Sequence, residues 1–131
     1  MQQLQPPGWP RAKGYANGVM VDGGKMIFVA GQVGWDETEV VVSDNFADQA
    51  KQALQNIIDI LAEANAGPEH IVRMTWFVAA RQEYLDQQRE IGAAYRDVIG
   101  RHFPAMSVIG IEGLIEDGAK LEIEATAVIP T

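Results

Sequence analysis

The sequence contains no cysteine, only two histidines and only two serines. The lack of cysteine excludes disulfide bonds and thiol nucleophiles, and it fits a protein of a reducing compartment. His70 and His102 lie far apart and have no partner at metal-ligand spacing. Neither Ser43 nor Ser107 lies in the glycine-flanked context of a nucleophile elbow. We therefore predict no metal site and no cofactor.

Long hydrophobic runs and clusters of basic residues are also missing. No apolar stretch approaches the ~20 residues that cross a bilayer, and Met1 to Pro10 lacks the features of a secretory signal. Ten basic residues stand against eighteen acidic ones, which gives a net charge of −8 and disfavours a nucleic-acid partner. The acidic surface then serves mainly solubility. We expect a cytoplasmic protein that binds neither membranes nor nucleic acids.

The composition that remains is that of one globular domain. The chain has 131 residues, of which 47% are hydrophobic and 21% are charged. This length supports a single hydrophobic core and is too short for two. We predict one domain over residues 1–131, in which residues 1–13 form an N-terminal extension.

Two segments show the three- and four-residue spacing that is typical of amphipathic helices. Ser43 or Asp44 is suited to cap the first helix, and Gly67-Pro68 follows its end. The second helix ends near Gly100. The positions that share one face are Phe46, Ala50, Ala53, Leu54, Ile57, Ile58 and Leu61 in the first helix, and Tyr84, Leu85, Gln88, Ile91, Tyr95, Val98 and Ile99 in the second.

The rest of the chain predicts five strands, in the order strand–strand–helix–strand–helix–strand–strand. Gly23-Gly24 separates the first two strands and suits a tight hairpin, because glycine tolerates positive φ. The predicted strands are Val19 to Asp22, Met26 to Gln32, Ile71 to Val78, Met106 to Ile111, and Leu121 to Ile129. The pattern indicates an α+β fold with two helices on one face of a sheet.

The central strands are apolar on both faces. Phe28 points to one side of its strand and Val29 to the other, and Trp76 and Phe77 alternate in the same way. Two helices cover only one face of a sheet, and a large exposed apolar patch is unusual in a monomer. We expect another subunit to cover the second face. The alternative is a local cover by the loop from Gly34 to Asp44.

Several short motifs lie along the chain. They are Gly14-Tyr15, Ala30-Gly31-Gln32, Gln49 and Asn56 on the first helix, Phe103-Pro104-Ala105-Met106, and Leu121-Glu122-Ile123-Glu124-Ala125. Taken in this order and spacing, they resemble the Rid family, also called the YjgF or L-PSP endoribonuclease family, from about Gly14 to Val128. The resemblance implies a chorismate-mutase-like fold, a homotrimer, and small-molecule sites at the interfaces between subunits.

The best-known members of this family hydrolyse 2-imino acids, or their enamine tautomers, to 2-keto acids and ammonia. In the family an arginine holds the substrate carboxylate, and a glutamate and a main-chain carbonyl hold the attacking water. The resemblance places Glu122 at the catalytic glutamate, Tyr15 at a tyrosine that lines the cleft, and Gly31 at a glycine of the site. The carbonyl belongs to Val108, and Trp76 is a further candidate for shaping the pocket.

Three polar ligand contacts of the family are missing from this sequence. Met106 replaces the arginine, Ala30 replaces a serine, and Gly92 stands where the family has a helix asparagine. Methionine offers an apolar thioether, so a facing carboxylate would lose water without compensation. We therefore expect a neutral or more apolar ligand. Met106 as simple core filling is one alternative, and replacement of the clamp by Arg73, Arg101 or a neighbouring subunit's arginine is another.

Two functions follow from these residues. The first is hydrolysis of an imine or enamine metabolite other than a simple 2-imino acid, with Glu122 placing water. The second is a non-catalytic trimer that binds a metabolite or regulates a partner. A ribonuclease is disfavoured by the acidic charge and by the lack of a histidine pair for acid–base catalysis.

Overall fold

Six β-strands and three α-helices make up the computed structural model, which describes all residues from Met1 to Thr131. A single 3-10 turn, Pro68–His70, directly precedes the fourth strand of the chain. The elements in chain order are β1 (Gln2–Leu4), β2 (Gly18–Met20), β3 (Lys25–Gln32), α1 (Phe46–Ala62), β4 (Ile71–Val78), α2 (Arg81–Asp86), α3 (Gln88–Val98), β5 (Ala105–Gly110) and β6 (Leu121–Ile129).

The main sheet has four strands in the order β3-β6-β4-β5. β6 pairs antiparallel with both β3 and β4, whereas β4 and β5 are parallel and are joined by the crossover through α2 and α3. All five predicted strands are present, and the α+β class is confirmed. None of the helices has the length and apolar character that a membrane crossing requires.

The hydrophobic core lies between one face of this sheet and the helices. Phe46, Leu54 and Ile57 of α1 are fully buried, as are Met74 of β4 and Ile123 of β6. Burial of each such side chain contributes roughly 1.5–3 kcal/mol. The predicted stripe of the first helix is therefore its core face. The N-cap is Asn45 rather than Ser43 or Asp44, because Asn45 has extended dihedrals and its side chain accepts a hydrogen bond from the Asp48 N–H.

The predicted hairpin at Gly23-Gly24 is wrong. β2 pairs with β1 in a separate two-stranded sheet, and β3 pairs with β6. Both glycines have positive φ, but at Gly24 this conformation brings the backbone against the carbonyl end of Ile129, where a side chain would clash. The glycines thus carry the chain from one sheet to the other. β1 was not predicted because Gln2-Gln3-Leu4 has no apolar run.

The second predicted helix is divided at Gln87 into α2 and α3. Gln87 leaves the helical region, with φ −108° and ψ 28°, and its Oε1 accepts a hydrogen bond from the Ala47 N–H at 3.1 Å. This contact satisfies one of the free N–H groups at the start of α1. A tertiary hydrogen bond therefore accompanies an interruption that the apolar periodicity did not predict.

The second face of the sheet is open in the single chain. The side chains of Met26 and Phe28 on β3 are 60% and 73% exposed, and Ile109 of β5 is 44% exposed. The loop that follows β3 leaves these residues exposed, and Asn56 of α1 holds the start of that loop by donating to the carbonyls of Val33 and Trp35. The local cover considered from the sequence is therefore absent over Met26, Phe28 and Ile109.

Candidate functional site

A cavity of about 720 Å³ lies on the helix side of the sheet. We call it the helix-side cavity; its walls are α3, the edge strand β5 and the segment from Lys13 to Tyr15. Ala16 anchors that segment, because its N–H donates to the Pro104 carbonyl at 2.9 Å. The volume falls within the roughly 300–1,000 Å³ of small-molecule sites. Four residues predicted from the sequence, Tyr15, Trp76, Met106 and Val108, line this cavity.

The register of β5 against β4 explains how two of these residues meet the cavity. Met106 lies beside Met74, and Val108 lies beside Trp76, so all four side chains point toward the helices. The backbone groups of Ile111 face β4, because its N–H donates to the Val78 carbonyl. Backbone groups alternate along a strand, and Val108 is three positions away, so its carbonyl points to the open edge of the sheet. Its role in binding water stays a prediction. Met106 also packs against the core.

Aromatic side chains form much of the remaining wall. Tyr95 and Phe103 stack with their ring centroids 5.7 Å apart, and Tyr84 of α2 contributes a third ring. The Tyr95 hydroxyl donates to the His102 carbonyl at 2.6 Å, and burial raises the pKa of this hydroxyl well above its usual value. Tyr95 therefore stays protonated and is unsuited to act as a base. The helical stripe carried a signal for Tyr84 and Tyr95, but it did not distinguish a cavity wall from the core.

Two cationic side chains that the sequence did not indicate also line the helix-side cavity, Lys13 and Arg96. The two arginines named from the sequence as possible replacements for the carboxylate-binding arginine lie outside this cavity. Arg73 lines a depression on the opposite face of the sheet, and Arg101 lines a neighbouring cavity beside the N-terminal segment. The sequence did contain one signal for Arg96. It lies four residues after the motif position Gly92, so the two residues share one face of α3.

A second cavity, of about 420 Å³, contains Glu122 and Gly31. We call it the sheet-side cavity. The Glu122 carboxylate lies directly over Gly31, such that a Cβ on that glycine would come within 2.7–2.9 Å of the glutamate side chain. An irregularity in the register of β3 between Val29 and Gln32 places the glycine there. Such bulges commonly re-aim side chains next to active sites.

The two cavities lie on opposite faces of one sheet. Trp76 and Phe77 are neighbours on β4, but the first lines the helix-side cavity and the second lines the sheet-side cavity. Glu122 pairs with Phe77, and Ile123 pairs with Trp76. Within one chain, Glu122 and Gly31 therefore do not share a cavity with Tyr15, whereas Met106 and Val108 do.

The remaining polar motif residues support this framework. The side chain of Gln49 is fully buried, donates to the carbonyls of Ser43 and Gly118, and accepts from the Lys120 N–H. Each histidine has a backbone partner: His70 Nδ1 accepts from the Gly67 N–H, and His102 Nε2 lies 2.7 Å from the Ile71 carbonyl. No group of three potential metal-ligating side chains occurs in the structure.

Comparison with known proteins identifies the family. The family model described as Endoribonuclease L-PSP matches residues 10–129, nearly the whole chain. The chain belongs to this family. It is the Rid, or YjgF, family that the sequence motifs resemble. Several relatives are named 2-iminobutanoate/2-iminopropanoate deaminase. The chain is 33% identical to protein DfrA of Myxococcus xanthus over 91% of its own length and 88% of that protein. It is 30% identical to the human 2-iminobutanoate/2-iminopropanoate deaminase over 87% of its own length and 79% of that protein.

Solved structures of Rid proteins share the fold. A Rid-family protein of unknown function from Yersinia pestis, YyfB, superposes with a TM-score of 0.82 at 29% identity, with 98% of each chain covered. Escherichia coli TdcF, solved with bound serine, superposes with a TM-score of 0.68 at 28% identity, with 98% of this chain and 99% of that chain covered. The chorismate-mutase-like α+β fold implied by the motifs is therefore that of this Rid protein.

Proposed function

We propose that this Rid protein hydrolyses an imine or enamine metabolite in a cleft between two copies of the chain. One observation carries the proposal: the predicted water-holding carboxylate of Glu122 and the predicted ligand-lining residues Tyr15, Met106 and Val108 lie in two different cavities. Apposition of the sheet-side cavity of one copy to the helix-side cavity of another would complete the site. The deaminase names of several relatives support the reaction class.

The assembly in this proposal is a homotrimer. The open sheet face, with Phe28 73% exposed, provides the apolar surface that subunit contacts bury. A cyclic arrangement uses the same pair of surfaces at every contact, and each contact then creates one cleft. Three such clefts would form in a trimer.

The chemistry requires little from the protein beyond positioning. Water adds to the carbon of the C=N bond to give a carbinolamine, whose C–N bond breaks as the C=O bond forms, and the products are a carbonyl compound and ammonia. Glu122 would accept a proton from the attacking water and return it to the nitrogen that leaves as ammonia, and the Val108 carbonyl would orient that water. Met106 supplies no charge. A substrate whose carboxylate must lie beside β5 is therefore expected to bind poorly, and we expect simple 2-imino acids to be poor substrates.

Substitution of Glu122 tests the catalytic proposal. We expect Glu122→Gln to fold and assemble normally but to lose turnover by about 100-fold or more, since an amide is a poor proton acceptor. Ammonia release from an imine other than a simple 2-imino acid, generated in place by an amine oxidase, provides the assay, and Glu124→Gln on the same strand is the matched control. Equal rates in the Glu122 variant and the parent would remove Glu122 from the mechanism.

A non-catalytic ligand-binding or regulatory trimer is the second candidate. The apolar Met106 favours it, because binding without turnover needs no carboxylate clamp at β5. Ligand-dependent thermal stabilisation of the protein, combined with no release of ammonia from any imine in a panel, would support this candidate against the first.

A further inference from the structure

The charges around the helix-side cavity differ in sign from those of the whole chain. The protein carries a net charge of −8, yet the charged residues that line this cavity are Lys13 and Arg96, without any aspartate or glutamate. Neither cation is paired, because the salt bridges of the structure involve Lys51, His70 and Lys120 instead. Within one chain the cavity thus has two unpaired cations and no acidic side chain, which favours an anionic ligand.

The Arg96 guanidinium lies beside Gly92. Both residues lie on the same face of α3, and the Arg96 Nη1 atom lies 3.4 Å from the point where a Cβ on Gly92 would be, an ordinary van der Waals distance. The guanidinium therefore lies next to a helix position that has no side chain, and both residues line the cavity. Arginine presents several N–H donors in a planar fork that matches a carboxylate in two places.

A third donor faces no partner within the chain. Trp76 is 3% exposed and lines the cavity, and its Nε1 is the one buried side-chain nitrogen or oxygen without a hydrogen bond in the structure. Buried donors are nearly always paired, because an unpaired one loses its hydration without compensation. This indole N–H is therefore the one unpaired donor among the buried side chains, and it belongs to a residue that lines the cavity.

We propose that the helix-side cavity binds an organic anion, with Arg96 and Lys13 as its anion-binding pair and Trp76 as an additional donor. The body of the ligand is aromatic or bulky and apolar, because Tyr84, Tyr95 and Phe103 form the wall. The charged group lies on the α3 side of the cavity rather than beside Met106 on β5. The expectation of a neutral ligand rested on Met106, Ala30 and Gly92, and it did not include Lys13 or Arg96. The inference rests on the proposed function, for which it names the substrate class.

Titration calorimetry of the assembled protein with phenylpyruvate, a carboxylate with an aromatic ring, tests the proposal. We expect Arg96→Gln to weaken binding by about 10- to 100-fold, since it removes a charge-assisted contact. Lys13→Gln and Trp76→Phe are expected to weaken binding several-fold, and the neutral phenylpyruvamide is expected to bind at least 10-fold less tightly. Arg89→Gln is the matched control: it removes the same charge from the same helix outside the cavity.

Several results would overturn the proposal. These are equal affinities in the Arg96 and Arg89 variants, equal affinities for the acid and its amide, and no binding of phenylpyruvate at millimolar concentration. Failure of the proposed function is distinguishable from these results. Anion binding that depends on Arg96 but supports no imine hydrolysis would contradict only the hydrolase. Hydrolysis of neutral imines that is unaffected by Arg96→Gln would contradict only the anion site.

Discussion

Met106 lies on β5 beside the buried Met74 and faces the helix-side cavity with its thioether. Its side chain is half-buried and in contact with the core, so the position serves packing and lines the cavity at the same time. Met106 and Val108 both lie within the regular strand β5. A longer side chain at position 106 can therefore extend into the cavity without a change in the backbone.

The first prediction follows from this position. We expect the parent protein to hydrolyse iminopropanoate and iminobutanoate slowly or not at all, and Met106→Arg to increase the rate by about 10-fold or more through a new carboxylate contact. Competition with semicarbazide trapping measures the rate. Met106→Leu is the control, because it preserves the apolar volume without adding charge. Rapid turnover by the parent would contradict the prediction, because it would show that simple 2-imino acids react without a cation beside β5.

Gly31 allows a second prediction at the residue scale. A Cβ at this position would approach the Glu122 side chain to 2.7 Å, so Gly31→Ala must displace that carboxylate. We expect turnover to fall by about 10-fold or more with the fold intact, as small displacements of catalytic groups have effects of this size. Gly113 lines the same cavity, and a Cβ at this position would have no atom within 4 Å. Gly113→Ala is therefore the matched control. Comparable kcat values in the two variants would argue against a role for the position of Glu122.

At the scale of elements, Gln49 joins the start of α1 to the segment from Gly118 to Lys120, which lies 69 to 71 positions further along the chain. From α1 it donates to the carbonyls of Ser43 and Gly118 and accepts from the Lys120 N–H, just before β6 begins. The strand that carries Glu122 thus has its start bound to the helix that covers the core. A buried amide with all these partners holds two elements in one relative position.

Removal of this amide is the third prediction. We expect Gln49→Leu to lower the free energy of unfolding by about 3 kcal/mol or more, because three backbone groups lose their buried partner. Gln55→Leu, on the exposed side of the same helix, is expected to change it by about 0.5 kcal/mol or less. Urea unfolding of both variants at one protein concentration provides the comparison. A small effect at Gln49 would indicate that water replaces the amide at little cost.

At the scale of the whole molecule, the open face of the sheet is the dominant surface feature. Met26 and Phe28 of β3 and Ile109 of β5 lie on this face, and Thr75 between them is nearly buried. The helices leave the face uncovered, and the Glu122 half of the proposed site lies on the same side of the sheet. Assembly and site completion are therefore expected to depend on the same surface.

The fourth prediction tests this dependence. We expect light scattering after gel filtration to give a mass near three times the 14.3 kDa of one chain, and Phe28→Asp to reduce it toward one chain with a parallel loss of turnover. Ile60→Asp is the control, since Ile60 is 38% exposed on α1, away from the sheet. A parent mass of 14.3 kDa at micromolar concentration would contradict both the trimer and the shared cleft.

Much of the architecture could be predicted from the sequence because the signals are local. The apolar spacing of α1 and the strand composition of β4 depend on residues within a few positions of each other, and both elements were found where the structure has them. The ordered motifs also indicated the family. The N-terminal pairing of β1 with β2 and the interruption at Gln87 depend on distant partners, which local periodicity does not report.

The candidate site divides in the same way. The sequence alone determined that Tyr15, Glu122 and Met106 are candidate site residues, because their motifs are contiguous stretches. Only the tertiary structure placed Glu122 and Gly31 on one face of the sheet and Tyr15, Met106 and Val108 on the other. It alone brought Lys13 and Arg96 to one cavity, although 83 positions separate them in the chain. Their proximity is a consequence of the anchoring of the N-terminal segment on β5 and the packing of α3 over the sheet, and contacts of this length leave no periodic trace in the sequence.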